Sequence, residues 1–173
     1  MSLCHGKRTV RDKGTCVPVF FILVYLLIHG CSTDRIVMDL ANYINLDILR
    51  ISEMEVEPLK RYAELTGPNY VSRDVMLRVL KEDVIPVYRR FFELLKEIKP
   101  QTDEIKKLHR VYINGAELIY RGLREKLGGL ELKDEDMIRA ANKKIERGRI
   151  ENERWRKELS AIYVKHGISE NPG

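Results

Sequence analysis

The chain has 173 residues, a third of them charged, with a formal charge of +5 and only three cysteines. That length builds one core of ordinary size and leaves no room for a large multidomain machine. Three cysteines exclude a dense disulfide scaffold. The lack of any long one-sign block, or of aromatics interleaved with basic residues, argues against nucleic acid as a partner.

The first thirty residues differ from the rest. Lys7, Arg8, Arg11 and Lys13 precede an apolar run from Val17 to Ile28, and His29-Gly30-Cys31-Ser32 follows. A bilayer core about 30 Å thick needs roughly 20 apolar residues in a helix. This run is about 18 Å long at about 1.5 Å per residue, and extending it meets Asp34 and Arg35. A basic segment, a short apolar segment and a small-residue cut point make a secretory signal over residues 1–30. The leader also carries part of the charge. Without it 27 basic and 25 acidic residues remain, a net of +2. The remaining charge then belongs to the solvated faces of helices.

The end of the apolar run resembles the lipobox of bacterial lipoproteins: an aliphatic residue, one or two small residues, then a lipidated Cys. Leu27-Ile28-His29-Gly30-Cys31 supplies these, with His29 standing where the family has a small or aliphatic residue. The resemblance covers about 20 residues. It implies cleavage before Cys31, a diacylglyceryl thioether on that sulfur, and anchoring in the cell membrane or outer membrane, outside the cytoplasm. Cys4 and Cys16 leave with the leader, so no thiol remains for a disulfide or an all-cysteine metal site.

Four helices are expected in residues 31–173. The first opens at Ser32 or Thr33 and runs to Leu65, with an apolar stripe of Val37, Leu40, Ile44, Ile51, Met54, Leu59 and Tyr62. Asn45 and Asp47 lie near that face. Pro58 is expected to kink the helix near Met54 or Glu55, and Thr66-Gly67-Pro68 stops it. Ser72 caps the second helix, whose stripe is Met76, Val79, Leu80, Val84, Val87, Phe91, Leu94, Leu95 and Ile98, with Pro86 inside it. Thr102 caps the third, which repeats at Ile105, Leu108, Tyr112, Ala116, Ile119, Leu123 and Leu127 and is expected to end at Gly128-Gly129. Asp134 caps the fourth, with a seam of Ile138, Ala141, Ile145, Gly148, Asn152, Trp155, Leu159, Ile162 and His166. Gly167 and Ile168 suit a Schellman end.

Long helices with short connections predict an all-α, up-down-up-down antiparallel four-helix bundle. The start of the first helix, the second-to-third turn and the end of the fourth then share the membrane-facing end. Lys96, Lys99, Lys106, Lys107 and Lys165 lie near it among acidic neighbours.

Little catalytic chemistry is visible. Ser72 and Ser160 lack a nucleophile turn, Gly128-Gly129 lacks the spacing and Lys of a phosphate loop, and Glu53 and Glu57 face solvent. His109 and His166, the two histidines beyond the leader, stand near one end of the bundle, but neither has the Glu-x-x-His pattern of di-iron bundles. Asn152 either fixes helix register as a buried polar residue or lines a ligand pocket with Asn45 and Asp47. The expectation is a non-catalytic, cofactor-free, metal-free module of the cell envelope. Its partners are the lipid bilayer, through its anchor, and an envelope protein. The alternative is a small-ligand, haem or metal binder using His109, Asn152 and His166.

Overall fold

Helix-forming stripes and their caps account for the architecture. The computed structural model describes residues 34–67 and 72–168. Cys31, the proposed leader and the tail beyond Ile168 lie outside the described residues. All regular structure among them is helical, in four helices: α1 (residues 34–63), α2 (73–97), α3 (Asp103–Leu132) and α4 (Glu135–Lys165). The chain forms the all-α helical bundle that its spacing predicts.

Two caps sit where expected. Ser72 Oγ accepts from the Val75 amide at 3.3 Å, and Asp134 Oδ1 accepts from the Met137 amide at 2.9 Å. The end of α4 is a full Schellman closure. Gly167 lies at φ +65°, its amide donates to Val164 O at 3.2 Å, and the Ile168 amide donates to Tyr163 O at 2.9 Å.

Two expected helix ends are different. Thr102 occupies the N-cap position of α3 but makes no side-chain cap; its hydroxyl donates instead to buried Asp39 at 2.6 Å. Asp39 also accepts from the Thr102 amide at 2.7 Å and the Gln101 amide at 3.0 Å. One carboxylate of α1 therefore fastens the α2–α3 connection. Gly128-Gly129 does not end α3. The helix continues to Leu132 and closes on Lys133, at φ 58° in the left-handed region. Gly129 serves another purpose: a Cβ there would meet Ile138 Cγ1 at 3.0 Å and the Ile138 amide at 3.1 Å.

Gly129 is the third glycine of a seven-residue series. A Cβ on Gly115 would lie 3.0 Å from Gly148 O, and one on Gly122 would lie 3.0 Å from Ala141 O and 2.6 Å from Ile145 Cγ1. The facing carbonyls, at 148, 141 and 134, also recur every seven residues. An apolar repeat of seven holds one seam toward its partner, and glycine there lets α3 and α4 pack antiparallel along their backbones. Gly148, on the seam of α4, lies against the same backbone, with a Cβ there 2.7 Å from Gly115 O.

The other two helices are irregular. Each contains a π-helical turn, Tyr43–Ile48 in α1 and Leu80–Val84 in α2. A π turn takes more residues per revolution and changes which residues beside it face inward, while Ile51, Tyr62, Phe91, Leu95 and Ile98 remain buried as their stripes predict. Glu55, 9% exposed, replaces the expected Met54, which is 36% exposed; Tyr88, 0% exposed, replaces Val87, 40% exposed. The second π turn lies just before Pro86, whose ring crowds the carbonyl four residues back. Around Pro58 the helix is continuous α over Leu49–Ala63, with no break at Met54 or Glu55; the irregular turn of α1 lies upstream.

Candidate functional site

The altered inward face of α1 has a chemical result: it carries Glu55 into the core. Tyr112, from the repeat of α3, donates its hydroxyl to Glu55 Oε2 at 2.6 Å, and Asn152, from the seam of α4, donates Nδ2 to Oε1 at 2.8 Å. Three helices thus meet on one carboxyl group. Burial pushes the Glu55 pKa up, against the Tyr112 bond, the Arg156 charge and the Asn152 bond, which lower it.

Aromatic rings enclose this group. Trp155 stacks on Tyr112 with centroids 4.4 Å apart and planes at 20°; Phe91 tilts against Tyr112 at 6.0 Å and Tyr88 against Phe91 at 5.3 Å. The ladder runs from α2 through α3 to α4. Burial and the nearby Glu55 carboxylate raise both the Tyr88 and Tyr112 phenols, so both are protonated donors at neutral pH.

A second polar pair joins α1 to α3. Tyr43 OH and His109 Nδ1 are 3.2 Å apart, with the rings edge-on at 5.5 Å. Burial first, then the Lys99 charge, lowers the His109 pKa to about 4. The imidazole is therefore neutral at physiological pH. Its unprotonated nitrogen accepts from the phenol if Nδ1 carries the lone pair. Among the described residues Tyr88 OH and Asn152 Oδ1 are buried without a hydrogen-bond partner, whereas the Trp155 side chain faces the Tyr43 hydroxyl and His109 the Leu95 backbone. Each such atom is costly in a dry interior.

The Glu55 end of this polar core opens to the surface. A groove of about 420 Å³ runs between α1 and α4 and is lined by Glu55, Leu59, Ile119 and Asn152, with Lys60 and Arg156 among its charged residues. It presents an apolar wall, a hydrogen-bonding floor and mixed charge, the general make-up of a small-ligand cleft.

The three site residues drawn from the sequence take separate partners. His109 meets Tyr43, Asn152 meets Glu55, and His166 Nε2 lies 3.1 Å from Glu104 Oε2. Lys165 Nζ donates to the other Glu104 oxygen at 2.8 Å. Desolvation works to raise Glu104, but the Lys165 and His166 hydrogen bonds prevail and hold its pKa low. The histidines do not pair. Among the described residues no group of three or more His, Cys, Asp or Glu side chains is arranged to hold a metal ion. Asn45 is exposed and Asp47 only half-buried, so neither joins Asn152 in a pocket. Glu55 takes that place, and its position on the stripe of Ile48, Ile51, Pro58 and Tyr62 was the available signal.

Comparison with known proteins adds no family. No family model matches the chain, and no curated protein or solved structure matches it.

Proposed function

We propose that the chain is an exported lipoprotein, held at an extracytoplasmic membrane surface through Cys31, whose helical bundle is a non-catalytic structural or interaction module of the bacterial cell envelope. The observation that carries this reading is one of order along the chain. A basic segment, an apolar dozen and a lipobox-like cysteine are followed within three residues by the first turn of α1 at residue 34. The bundle then sits close to the leaflet. A further fact supports the reading. All three cysteines precede the described bundle, so it stands without disulfides. Among the described residues no helix is long and apolar enough to cross a membrane.

Mass spectrometry of the native N-terminus tests this. The expected product begins at Cys31 and carries acyl chains. Cys31→Ser is expected to leave the precursor uncleaved or release the protein from the membrane fraction. An unmodified thiol in a full-length product, or unchanged anchoring of the serine variant, overturns the proposal. Affinity capture from detergent-solubilised membranes then reads out the envelope partner.

One observation favours a second reading, small-ligand binding in the bundle. The buried Glu55 carboxyl forms part of an open groove, with the unpartnered Asn152 Oδ1 beside it. Native mass spectrometry of the full chain is its test: a bound small molecule lost in Glu55→Ala supports it, and a native chain that carries no mass beyond its own polypeptide counts against it.

A further inference from the structure

Lys126 stands off the apolar repeat of its helix in the sequence. It lies on α3 and is 8% exposed, an unusual place for a residue that is almost never fully buried without a counter-charge. Its ammonium group makes one hydrogen bond, to the neutral Tyr62 hydroxyl at 2.7 Å, and lies 4.8 Å from the centre of the same ring, beyond its hydroxyl end. No carboxylate pairs with it among the described residues. An ammonium group has three donors, so two are left over. Burial, then the Arg149 charge, lowers its pKa to about 8, which leaves it largely cationic at neutral pH.

That cation belongs to a second groove. A cavity of about 450 Å³ lies between the end of α1, α3 and α4, and its charged members are Lys126, Lys143, Arg149 and Glu146. Glu146 is already engaged, 3.8 Å from Arg149. Tyr62, Thr66 and Asn142 add neutral polar groups, and Ile145 an apolar wall. Three cations therefore converge on a concave surface with one carboxylate among them. A buried charge is normally paired, and here the missing partner has to be a mobile one.

We infer that the groove formed by Tyr62, Lys126, Asn142, Lys143 and Arg149 is a binding site for a small soluble oxyanion, a phosphate or carboxylate group, with the Lys126 ammonium as its central donor. That the groove binds an oxyanion does not depend on how the protein is anchored; that the anion is free and not a lipid headgroup rests on the proposed anchor at Cys31. Residue 62 lies 28 positions along the chain from residue 34, where α1 begins, about 40 Å at about 1.5 Å per residue. The groove therefore lies far from that end, which suits a free anion better than a headgroup at the anchored leaflet.

The test uses the full chain and inorganic phosphate, with chloride at matched ionic strength as control. Phosphate is expected to raise the melting temperature of the native chain above the chloride control. It is also expected to move the Lys126 Cε titration, followed by carbon-13 NMR, to higher pH. Lys126→Met removes an unpaired buried charge, so this variant is expected to melt higher without phosphate and to bind phosphate at least about tenfold more weakly. Lys143→Gln, at an exposed position, is expected to leave the baseline melting temperature unchanged and weaken phosphate about threefold by loss of one nearby charge. Acetate distinguishes a carboxylate from a phosphate preference. The proposal is overturned if native chain and Lys126→Met respond equally to phosphate and acetate. It is also overturned if neither anion moves the Lys126 resonance; should Lys126→Met fail to fold, equal affinity of native chain and Lys143→Gln has the same force.

Discussion

Along α3 and α4 the helices meet backbone to backbone, with glycine at three positions seven apart on α3 and Gly148 on α4, in uninterrupted runs of 30 and 31 residues. Along α1 and α2 the core face mixes aliphatic side chains such as Leu40, Ile51, Leu80 and Val84 with rings and a carboxyl group, and a π-helical turn interrupts each helix. The difference separates two tasks within one bundle. The glycine-seamed hairpin has one close-packed arrangement that tolerates almost no added volume. The irregular hairpin supplies Tyr43, Glu55 and Tyr88 to a polar interior, at the cost of buried atoms without partners. A rigid pair thus serves as the frame against which a less regular pair holds its chemistry.

The widest test of that contrast is a single methyl group. At Gly148 an added Cβ would stand 2.6 Å from Ile119 Cγ1, 2.7 Å from Gly115 O and 2.9 Å from the Ile119 amide. Two of those atoms are backbone, so the helices have to separate. Gly148→Ala gains about 1 kcal/mol of helix propensity. We expect a net loss of about 4 kcal/mol, above the about 1–3 usual for overpacking, because rigid backbone rather than a rotamer has to yield. Chemical denaturation measures it. A loss below about 1 kcal/mol would show that the hairpin is not the rigid half.

In the irregular half the corresponding test is Glu55. Glu55→Ala leaves Tyr112 OH and Asn152 Nδ2 without their acceptor. The expected loss is about 3 kcal/mol, offset in part by removal of a desolvated carboxylate. Glu55→Gln keeps an acceptor and removes the titration. The raised folded pKa means that the native state holds this proton more tightly than the unfolded chain. Stability from this group is therefore greatest below the unfolded value near 4.5 and is lost as pH rises through the folded pKa. Glu55→Gln should remove that fall. An unchanged pH profile would mean that Glu55 is solvated after all.

His109 works in the opposite sense. Its pKa drops from 6.5 to about 4 on folding, so between those values the unfolded chain takes up a proton that the native state refuses. Stability falls as pH drops through this window, by up to about 3 kcal/mol at 1.36 per pKa unit. His109→Gln keeps an acceptor for Tyr43 and should flatten the curve between pH 6.5 and 4. The two titrations partly cancel in the native protein, so each single variant uncovers the other group and the double variant supplies the baseline without either. A native-like acid slope in His109→Gln would move the acid-sensitive group elsewhere.

How far the sequence reveals each hairpin follows the same division. The seam of α4 is legible from Ile138 to His166 because nothing interrupts a regular helix. The seven-residue recurrence of Gly115, Gly122 and Gly129 is equally present, but isolated glycines read as breaks, and Gly128-Gly129 suggests a stop that α3 does not make. In α1 and α2 the stripe stays legible beyond each π turn at Ile51, Tyr62, Phe91, Leu95 and Ile98, and it misses at individual positions, where Glu55 is buried in place of Met54 and Tyr88 in place of Val87. No local propensity marks a π turn, because it comes from packing and, in α2, from Pro86. Lys126 is hidden for a related reason: Leu123 and Leu127 carry the visible repeat beside it, and only the tertiary structure shows that the lysine lies inward as well.

The smallest effects sharpen the comparison at its edge, where the two glycines that end the visible repeat behave differently. Gly129 faces Ile138 backbone at 3.1 Å, whereas at Gly128 the only near atom is Met137 Cε at 3.1 Å, the free end of a flexible side chain. Gly128→Ala should therefore keep most of its helix-propensity gain and stabilise the protein by about 0.5–1 kcal/mol. Gly129→Ala should destabilise it. Two adjacent glycines with identical sequence signals then move the melting temperature in opposite directions. If both substitutions stabilise, the α3–α4 contact has already ended by residue 129, and the close-packed half of the bundle is one heptad shorter than the structure makes it.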